Sequence, residues 1–330
     1  MNNIAYIVCG NGFGHLNRSI RIVKYLLKKN INIDFFYPKK KYFRFIKKKQ
    51  KKLNIIDFDT KITPEILKEK KINNLQWVKR LPNMKKYDLI VSDNLIDILE
   101  LNLKTILIGN FLWFKSLPNL NNSWLNYQKS LLRKFKPHII CCKYFVPNYF
   151  SSNLKKIKVG LFTKFKNNNN DNSLLIYSGS NFFLQNFFKK LLKKGIFNKF
   201  PFKKIYLDEK IYSKKYSKKF YLFKYTKEHI SQLSMCFGRP SMGIIHDCLS
   251  HTVPIISFYD KKDKEMSDNA KNLLKFNLGY DPKTFNNALK FMKILSKNNK
   301  LDKFSKICKK LEWNGDKHAA NKIINYINNF

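Results

Sequence analysis

The sequence predicts an α/β protein built from two doubly wound domains. Three observations predict it. Short apolar strands alternate with longer helical stretches along the chain, the pattern of a parallel sheet flanked by helices. A glycine-containing turn follows the first strand of each half, at Gly10–Gly14 and at Gly179. A polar run without apolar periodicity, Lys164 to Asn172, separates halves of similar size. The length of 330 residues suits two domains of roughly 150 each, and a 44% hydrophobic composition is enough for two packed cores. The boundaries read as 1–163, a linker over 164–172, and 173–330. Two such halves imply a ligand cleft between them, at the carboxyl ends of the strands.

In the first half, strands are predicted at Ile4–Cys9, Asn32–Tyr37, Leu53–Asp57, Asp88–Ser92, Lys104–Ile108 and His138–Cys142. Helices are predicted at His15–Lys29, where Leu16, Ile20, Val23, Leu26 and Leu27 share one face, and at Trp124–Phe135. The second half predicts strands at Ser173–Ser178, Lys203–Leu207, Met235–Gly238 and Pro254–Tyr259. Its helices fall at Phe182–Leu192, Thr226–Ser234, Met242–His251 and Ser267–Phe276. A last helix, about His318–Asn328, is expected to pack back on the first domain.

Sixty-five Lys and Arg against 22 Asp and Glu give a formal net charge of +43, nearly all of it lysine. Such a surface attracts anionic membranes, nucleic acids and nucleotides. Arginine, the residue for bidentate base contacts, occurs only six times, which argues against a specific nucleic-acid reader. Solvated lysine faces, an anionic membrane surface and nucleic-acid binding are the readings of the charge, the last disfavoured by the scarcity of arginine. The stretches Tyr42–Lys52 and Tyr212–Lys224, which mix aromatics with lysine, are candidate docking segments. The six cysteines form no C-x-x-C pair and read as reduced core residues of a cytosolic protein. Met1–Cys9 lacks the basic segment and cleavage site of a signal peptide. No apolar run approaches ~20 residues, so no transmembrane helix is expected.

The first strand runs into Gly10-Asn11-Gly12-Phe13-Gly14-His15, and a helix follows at once. Glycines permit a tight turn, and a helix N-terminus offers free N–H groups and a positive dipole end. The G-x-G-x-G-H spacing departs from the G-x-G-x-x-G dinucleotide fingerprint, although Asp34 lies near the distance of a ribose-binding acid. His15, in the first helical turn, is placed to accept a proton from a hydroxyl, because a helix N-terminus disfavours imidazolium. A capping or core role is the competing reading. Asp93, at a strand end, is a candidate to orient His15, to act as base itself, or to cap a helix.

In the second half, Phe237-Gly238-Arg239-Pro240-Ser241-Met242-Gly243 runs from a strand through a tight turn into a helix that carries Asp247. The amides of Ser241, Met242 and Gly243 would meet a diphosphate at that N-terminus, and Arg239 would grip its oxygens. Asp247 is one or two turns further on, within reach of ribose hydroxyls. Asp263 and Glu265 follow the next strand. The turn Ser178-Gly179-Ser180-Asn181 is either a second phosphate-side loop or an ordinary capped turn.

These segments resemble the donor-binding signature of the GT-B nucleotide-sugar transferases, which include the UDP-glycosyltransferases and the enzyme adding N-acetylglucosamine to the peptidoglycan precursor. The resemblance implies two Rossmann-like domains facing a central cleft. It implies Arg239 on the pyrophosphate and Asp247 on the ribose. Asp263 through Ala270 looks like the family's D-x-x-Q-x-x-N-A stretch, which implies donor-sugar contacts from Asp263, Glu265 and Asn269. Gly179, Ser180 and Asn181 resemble the family's other phosphate-side loop. The first turn resembles its G-x-G-H loop, with Gly10, Gly12, Gly14, Asn17 and Arg18 on the acceptor side. Met266 stands where the family has a sugar-binding glutamine, and Thr252 where it has glycine before Val253-Pro254.

The expected activity is inverting, metal-independent transfer of a hexose-type sugar from a UDP-sugar to a hydroxyl. The expected partners are a nucleotide sugar and a glycan, lipid-linked or small-molecule acceptor, with no bound cofactor. Two rivals are a nucleotide-sugar hydrolase or epimerase of the same fold, and a non-catalytic basic binding protein. Asp57-Phe58-Asp59 spells a D-x-D motif, which binds metal in another glycosyltransferase fold, but it ends a strand in the acceptor half.

Overall fold

The computed structural model describes residues 2–38, 51–60, 77–116, 122–147, 150, 154–166, 171–216, 218–297 and 300–329. The chain divides into two compact units, Met1–Phe162 with Asn314–Phe330, and Thr163–Trp313.

In the first unit, β1 (Asn3–Val8), β2 (Asn32–Tyr37), β3 (Leu53–Asp57), β4 (Leu89–Asp93), β5 (Thr105–Ile108), β6 (His138–Cys142) and β7 (Lys155–Val159) form a wholly parallel sheet in the order β3-β2-β1-β4-β5-β6-β7. The central strands are apolar throughout because helices cover both faces, so alternation is lost. Strand order reverses between β1 and β4, which places the crevice of a doubly wound sheet at their carboxyl ends. Helix α1 (Phe13–Leu27) leaves β1 through the glycine turn and buries Leu16, Ile20, Ile22, Val23 and Leu26. Helices α2 (Trp113–Ser116) and α3 (Asn122–Phe135) follow β5. Sequence reasoning misses β7, whose Lys155, Lys156 and Lys158 mask its strand pattern.

In the second unit, β8 (Ser173–Tyr177), β9 (Lys204–Leu207), β10 (Phe220–Leu222), β11 (Leu233–Gly238), β12 (Ile255–Ser257) and β13 (Gly279–Tyr280) pair in parallel, ordered β10-β9-β8-β11-β12-β13. Here the reversal lies between β8 and β11. Helices α4 (Phe182–Lys193), α5 (Lys227–Ser231), α6 (Met242–Ser250), α7 (Lys264–Lys275), α8 (Phe285–Lys297) and α9 (Lys300–Lys309) complete the unit. Phe188, Phe197 and Phe237 belong, with Ile176 and Met292, to the buried core cluster of this unit. The Tyr212–Lys224 run is no docking helix: it contains edge strand β10, with Phe220 and Phe223 buried. Residues 42–50 of the other docking candidate lie outside the described residues.

The last helix, α10 (Gly315–Asn328), groups with the first unit. Gly315 N–H donates to Leu161 O at 2.7 Å, and Tyr326 packs edge-on against His138 at 5.0 Å. The boundary differs from the 164–172 reading. Lys166 N–H bonds to Ser250 O and Asp171 N–H to Gln232 O, which ties both ends of the polar run to the second unit. Residues 167–170 lie outside the described residues.

Gly238 ends β11 with φ 141°, and a Cβ there would meet Tyr177 O at 1.9 Å. This close approach lets Arg239 N–H bond to Tyr177 O at 2.9 Å and so fixes the turn after β11. Gly238→Ala is therefore expected to destabilise the protein by about 2–4 kcal/mol in urea unfolding. A loss below about 0.5 kcal/mol would show that the strand end relaxes freely.

Candidate functional site

Each unit gathers polar residues at the point where its strand order reverses. In the first, Gly12 caps α1 at φ 85° and so supplies no side-chain cap. A Cβ at Gly12 or Gly14 would meet nothing within 4 Å, so packing does not require a glycine at Gly14; its absent side chain leaves open space beside His15. Residues 15, 18 and 19 stand at i, i+3 and i+4, and so share the helix face turned to β4. Asp93, the last residue of β4, is fully buried there. It accepts hydrogen bonds from Arg18 Nε at 3.0 Å, Arg18 Nη2 at 2.5 Å and Ser19 Oγ at 2.8 Å.

His15 Nδ1 lies 2.7 Å from Asp93 Oδ1 and 3.3 Å from Arg18 Nη2. A guanidinium only donates, so Nδ1 cannot accept from Arg18 and donate to Asp93 at once. The shorter contact to a carboxylate decides it: Nδ1–H donates to Asp93, and the lone pair of neutral His15 is on Nε2. Burial alone would raise the Asp93 pKa, but the Arg18 guanidinium and His15 outweigh it and bring it to about 2. Asp93 is therefore a fixed anion, unable to act as base. Phe111 and Trp113 wall the imidazole, at centroid distances of 6.0 and 6.2 Å. Cys9, beneath the turn, has its thiol pushed up to about 12, chiefly by burial, and is inert.

In the second unit, the nine-residue α6 begins after Ser241 with no side-chain cap on its leading amides and no acid in its first turn. Arg239 precedes it. Its Nη2 donates to Asp263 Oδ2 at 3.1 Å, while its buried Nε–H has no hydrogen-bond partner among the described residues. Burial acts against its charge, but Glu265 and Asp263 more than compensate, and its pKa is raised. Asp247 lies on α6 one turn beyond Gly243, half-buried.

The whole chain is similar to solved glycosyltransferase structures. Arabidopsis thaliana UGT89C1 complexed with quercetin superposes with a TM-score of 0.67 at 10% identity, over 98% of this chain and 99% of that one. Streptomyces sp. SF2575 SsfS6 complexed with thymidine diphosphate gives 0.60 at 13% identity, over 98% and 100%. Acinetobacter baumannii MurG gives 0.57 at 13%, also over 98% and 100%. The chain has the GT-B fold. No family model matches its sequence, and no curated protein sequence does.

Within this GT-B frame several expected contacts change. Asn269 is buried and donates to Pro240 O at 3.0 Å, so it braces the Arg239–Ser241 turn and is not exposed to a sugar. Asp263 caps α7 through Met266 N–H at 3.3 Å with one oxygen and holds Arg239 with the other. Met266 is fully buried against Tyr259 and Ala270, so residue 266 faces the core and its departure from glutamine bears on packing. Glu265 stays half-buried beside Arg239. In the other turn, Ser178 and Gly179 N–H both donate to Asp208 Oδ2, at 2.5 and 3.2 Å. Asn181 caps α4 through Leu184 N–H at 2.9 Å. Gly179 and Asn181 are thus engaged by the protein, and Ser180 is left as the outward group of that turn.

Sequence reasoning missed Asp208, although an acid directly after an apolar strand was a visible signal. It also missed Ser19 and the aromatic wall, which only the fold brings to His15. Asn17 is half-buried in α1, and Gly10 N–H is tied to Thr60 O at 3.4 Å. Asp34 sits mid-strand in β2 and accepts from Tyr87 OH and Asn54 Nδ2, away from the strand end where a ribose-binding acid would stand. Asp57 ends β3 and Asp59 lies beyond it; both are exposed, on either side of Phe58, which packs on Phe36 and Trp77. Among the described residues no cluster of His, Cys, Asp or Glu is arranged to hold a metal.

Asp93→Asn removes the charge opposite buried Arg18, with an expected loss of about 3–5 kcal/mol in denaturant unfolding. The folded carboxyl titrates near 2, below an unfolded value of about 3.9. Its stabilisation is therefore complete above about pH 4 and is lost as pH falls towards 2. Stability curves of wild type and Asp93→Asn should converge over that window; parallel curves would contradict the ion pair.

Proposed function

We propose that this protein is a glycosyltransferase that moves a sugar from a nucleoside diphosphate, UDP in the first instance, to a hydroxyl acceptor. The observation that carries the reading is the His15–Asp93 pair, set behind an open glycine turn at the switch point of a GT-B sheet. Asp93 fixes the ring and keeps the lone pair on Nε2, where an acceptor hydroxyl would lose its proton. The acceptor oxygen then bonds to the anomeric carbon as the bond to the diphosphate oxygen breaks. The bonding pair leaves with the diphosphate. One in-line displacement inverts the anomeric centre.

The unpartnered Arg239 Nε–H and the uncapped amides of Met242 and Gly243 are the groups that would receive the diphosphate. They supply positive charge for its departure without a metal. Asp247 would hold the ribose. Glu265 is the remaining candidate for the donor sugar, because Asp263 and Asn269 are engaged by the protein. Solved structures of UGT89C1 contain UDP and UDP-L-rhamnose, and SsfS6 contains thymidine diphosphate. A thymidine carrier is therefore the first alternative to test. Phe111 and Trp113 beside His15 suit an acceptor with an apolar body. Six buried free cysteines suit a reducing compartment such as the cytosol. No helix among the described residues is long and apolar enough to cross a membrane.

His15→Ala is expected to lower turnover by about 100-fold or more while leaving donor affinity within about twofold. The assay is release of nucleoside diphosphate from a UDP-sugar over an acceptor panel. Wild-type turnover in the variant would remove His15 from the chemistry. Equal release with and without any acceptor would identify a hydrolase.

A further inference from the structure

Helix α4 leaves the Ser178–Asn181 turn and buries Leu184, Phe188, Leu191 and Leu192 against the second unit. Its opposite face is unusual. Phe182 is 74% exposed and Phe183 55%, the largest exposures of any bulky apolar side chain among the described residues. Lys189, Lys190 and Lys193 are exposed further along the same helix. From residue 172 to 207 the chain has seven lysines and no acid, and of these Lys204 pairs with Asp171 at 2.9 Å.

The fold accounts for these features only in part: the Phe183 ring stacks on Phe187 at 6.3 Å yet stays more than half exposed. Cations in a last turn favour the helix dipole, which covers Lys190 and Lys193 but not Lys189. The cap at Asn181 and the bond from Gln185 Nε2 to Gly179 O, 2.9 Å, hold the start of α4 firmly. The two phenylalanines are thus fixed outward on a rigid element. A helix with exposed aromatics and a lysine-only polar face has the chemistry of an interfacial helix on an anionic bilayer.

We propose that the outer face of α4 docks on an anionic lipid bilayer. Phe182 and Phe183 enter the boundary between headgroups and acyl chains, and Lys189, Lys190 and Lys193 meet anionic headgroups. At twelve residues, α4 covers about 18 Å of surface. Its N-terminal turn, next to Ser180, then lies at the bilayer. Joined to the transferase reading, on which this last step rests, that position implies a membrane-borne acceptor.

The test is co-sedimentation of the full chain with vesicles of phosphatidylglycerol in phosphatidylcholine, and of phosphatidylcholine alone, at low and high salt. With a net charge of +43, low-salt binding alone would prove little. High salt screens the lysines and leaves the phenylalanine contribution. Wild type is expected to keep measurable binding to the anionic vesicles at high salt. F182S/F183S should weaken that residue of binding by about tenfold or more. K189E/K190E/K193E should weaken low-salt binding by at least about fivefold per lysine. Both variants should keep the wild-type unfolding temperature and UDP affinity.

F182S/F183S binding vesicles like wild type at both salt levels would overturn the proposal. So would a loss of polyuridylate binding with vesicle binding unchanged, which would make the face a nucleic-acid surface. Vesicle binding as expected in a protein with no nucleotide affinity would sink the transferase reading and leave the docking face standing.

Discussion

The buried carboxylate of Asp93 is the constraint around which the first unit is arranged. A charge at the end of a central strand, out of contact with water, persists only if donors surround it. Here α1 supplies them from one face: Arg18 twice, Ser19 and His15. That demand fixes the rotation of the helix, which in turn fixes the imidazole. The glycine turn serves the same end, because the chain must reverse sharply after β1 for residue 15 to fall in the first helical turn. The orientation of the imidazole and the burial of the carboxylate therefore rest on one set of bonds.

The second unit shows the opposite electrostatics at its own switch point, between β8 and β11. Its anions, Asp208 and Asp263, are already bound to the turn amides and to Arg239. Burial raises the Asp208 pKa, and the bonds from Ser178 and Gly179 pull partly against it. These acids brace the two turns at that switch point. What remains unsatisfied is Arg239 Nε–H and the leading amides of α6, a small positive region framed by rigid loops. A group that carries two adjacent negative charges fits that remainder.

Much of this was legible in the sequence. Apolar runs in parallel strands are dense and short, so β2, β3 and β6 can be read to the residue. The Gly10–His15 turn and the Arg239–Gly243 turn announce themselves because glycine, proline and charge interrupt those runs. The lysine-rich β7 and edge strand β10 were hidden, since edge strands need little apolar surface. Side-chain direction was the larger loss. Asp263, Met266 and Asn269 lie within seven residues, yet one caps, one packs and one braces a turn. A linear motif cannot separate those roles, because each depends on which face of α7 meets the core. Asp93 was a candidate base in sequence, and only its neighbours in space show that it stays ionised until the pH falls towards 2.

The central claim is a diphosphate site on α6, and thermal unfolding with UDP, thymidine diphosphate, NAD and a short RNA at low and high salt tests it most directly. A nucleoside diphosphate at about 100 times its dissociation constant should stabilise the protein by about 2.7 kcal/mol. That shift should survive high salt and disappear in Arg239→Ala. No shift with either nucleoside diphosphate, alongside a salt-sensitive shift with RNA, would contradict the account and favour a basic binding protein.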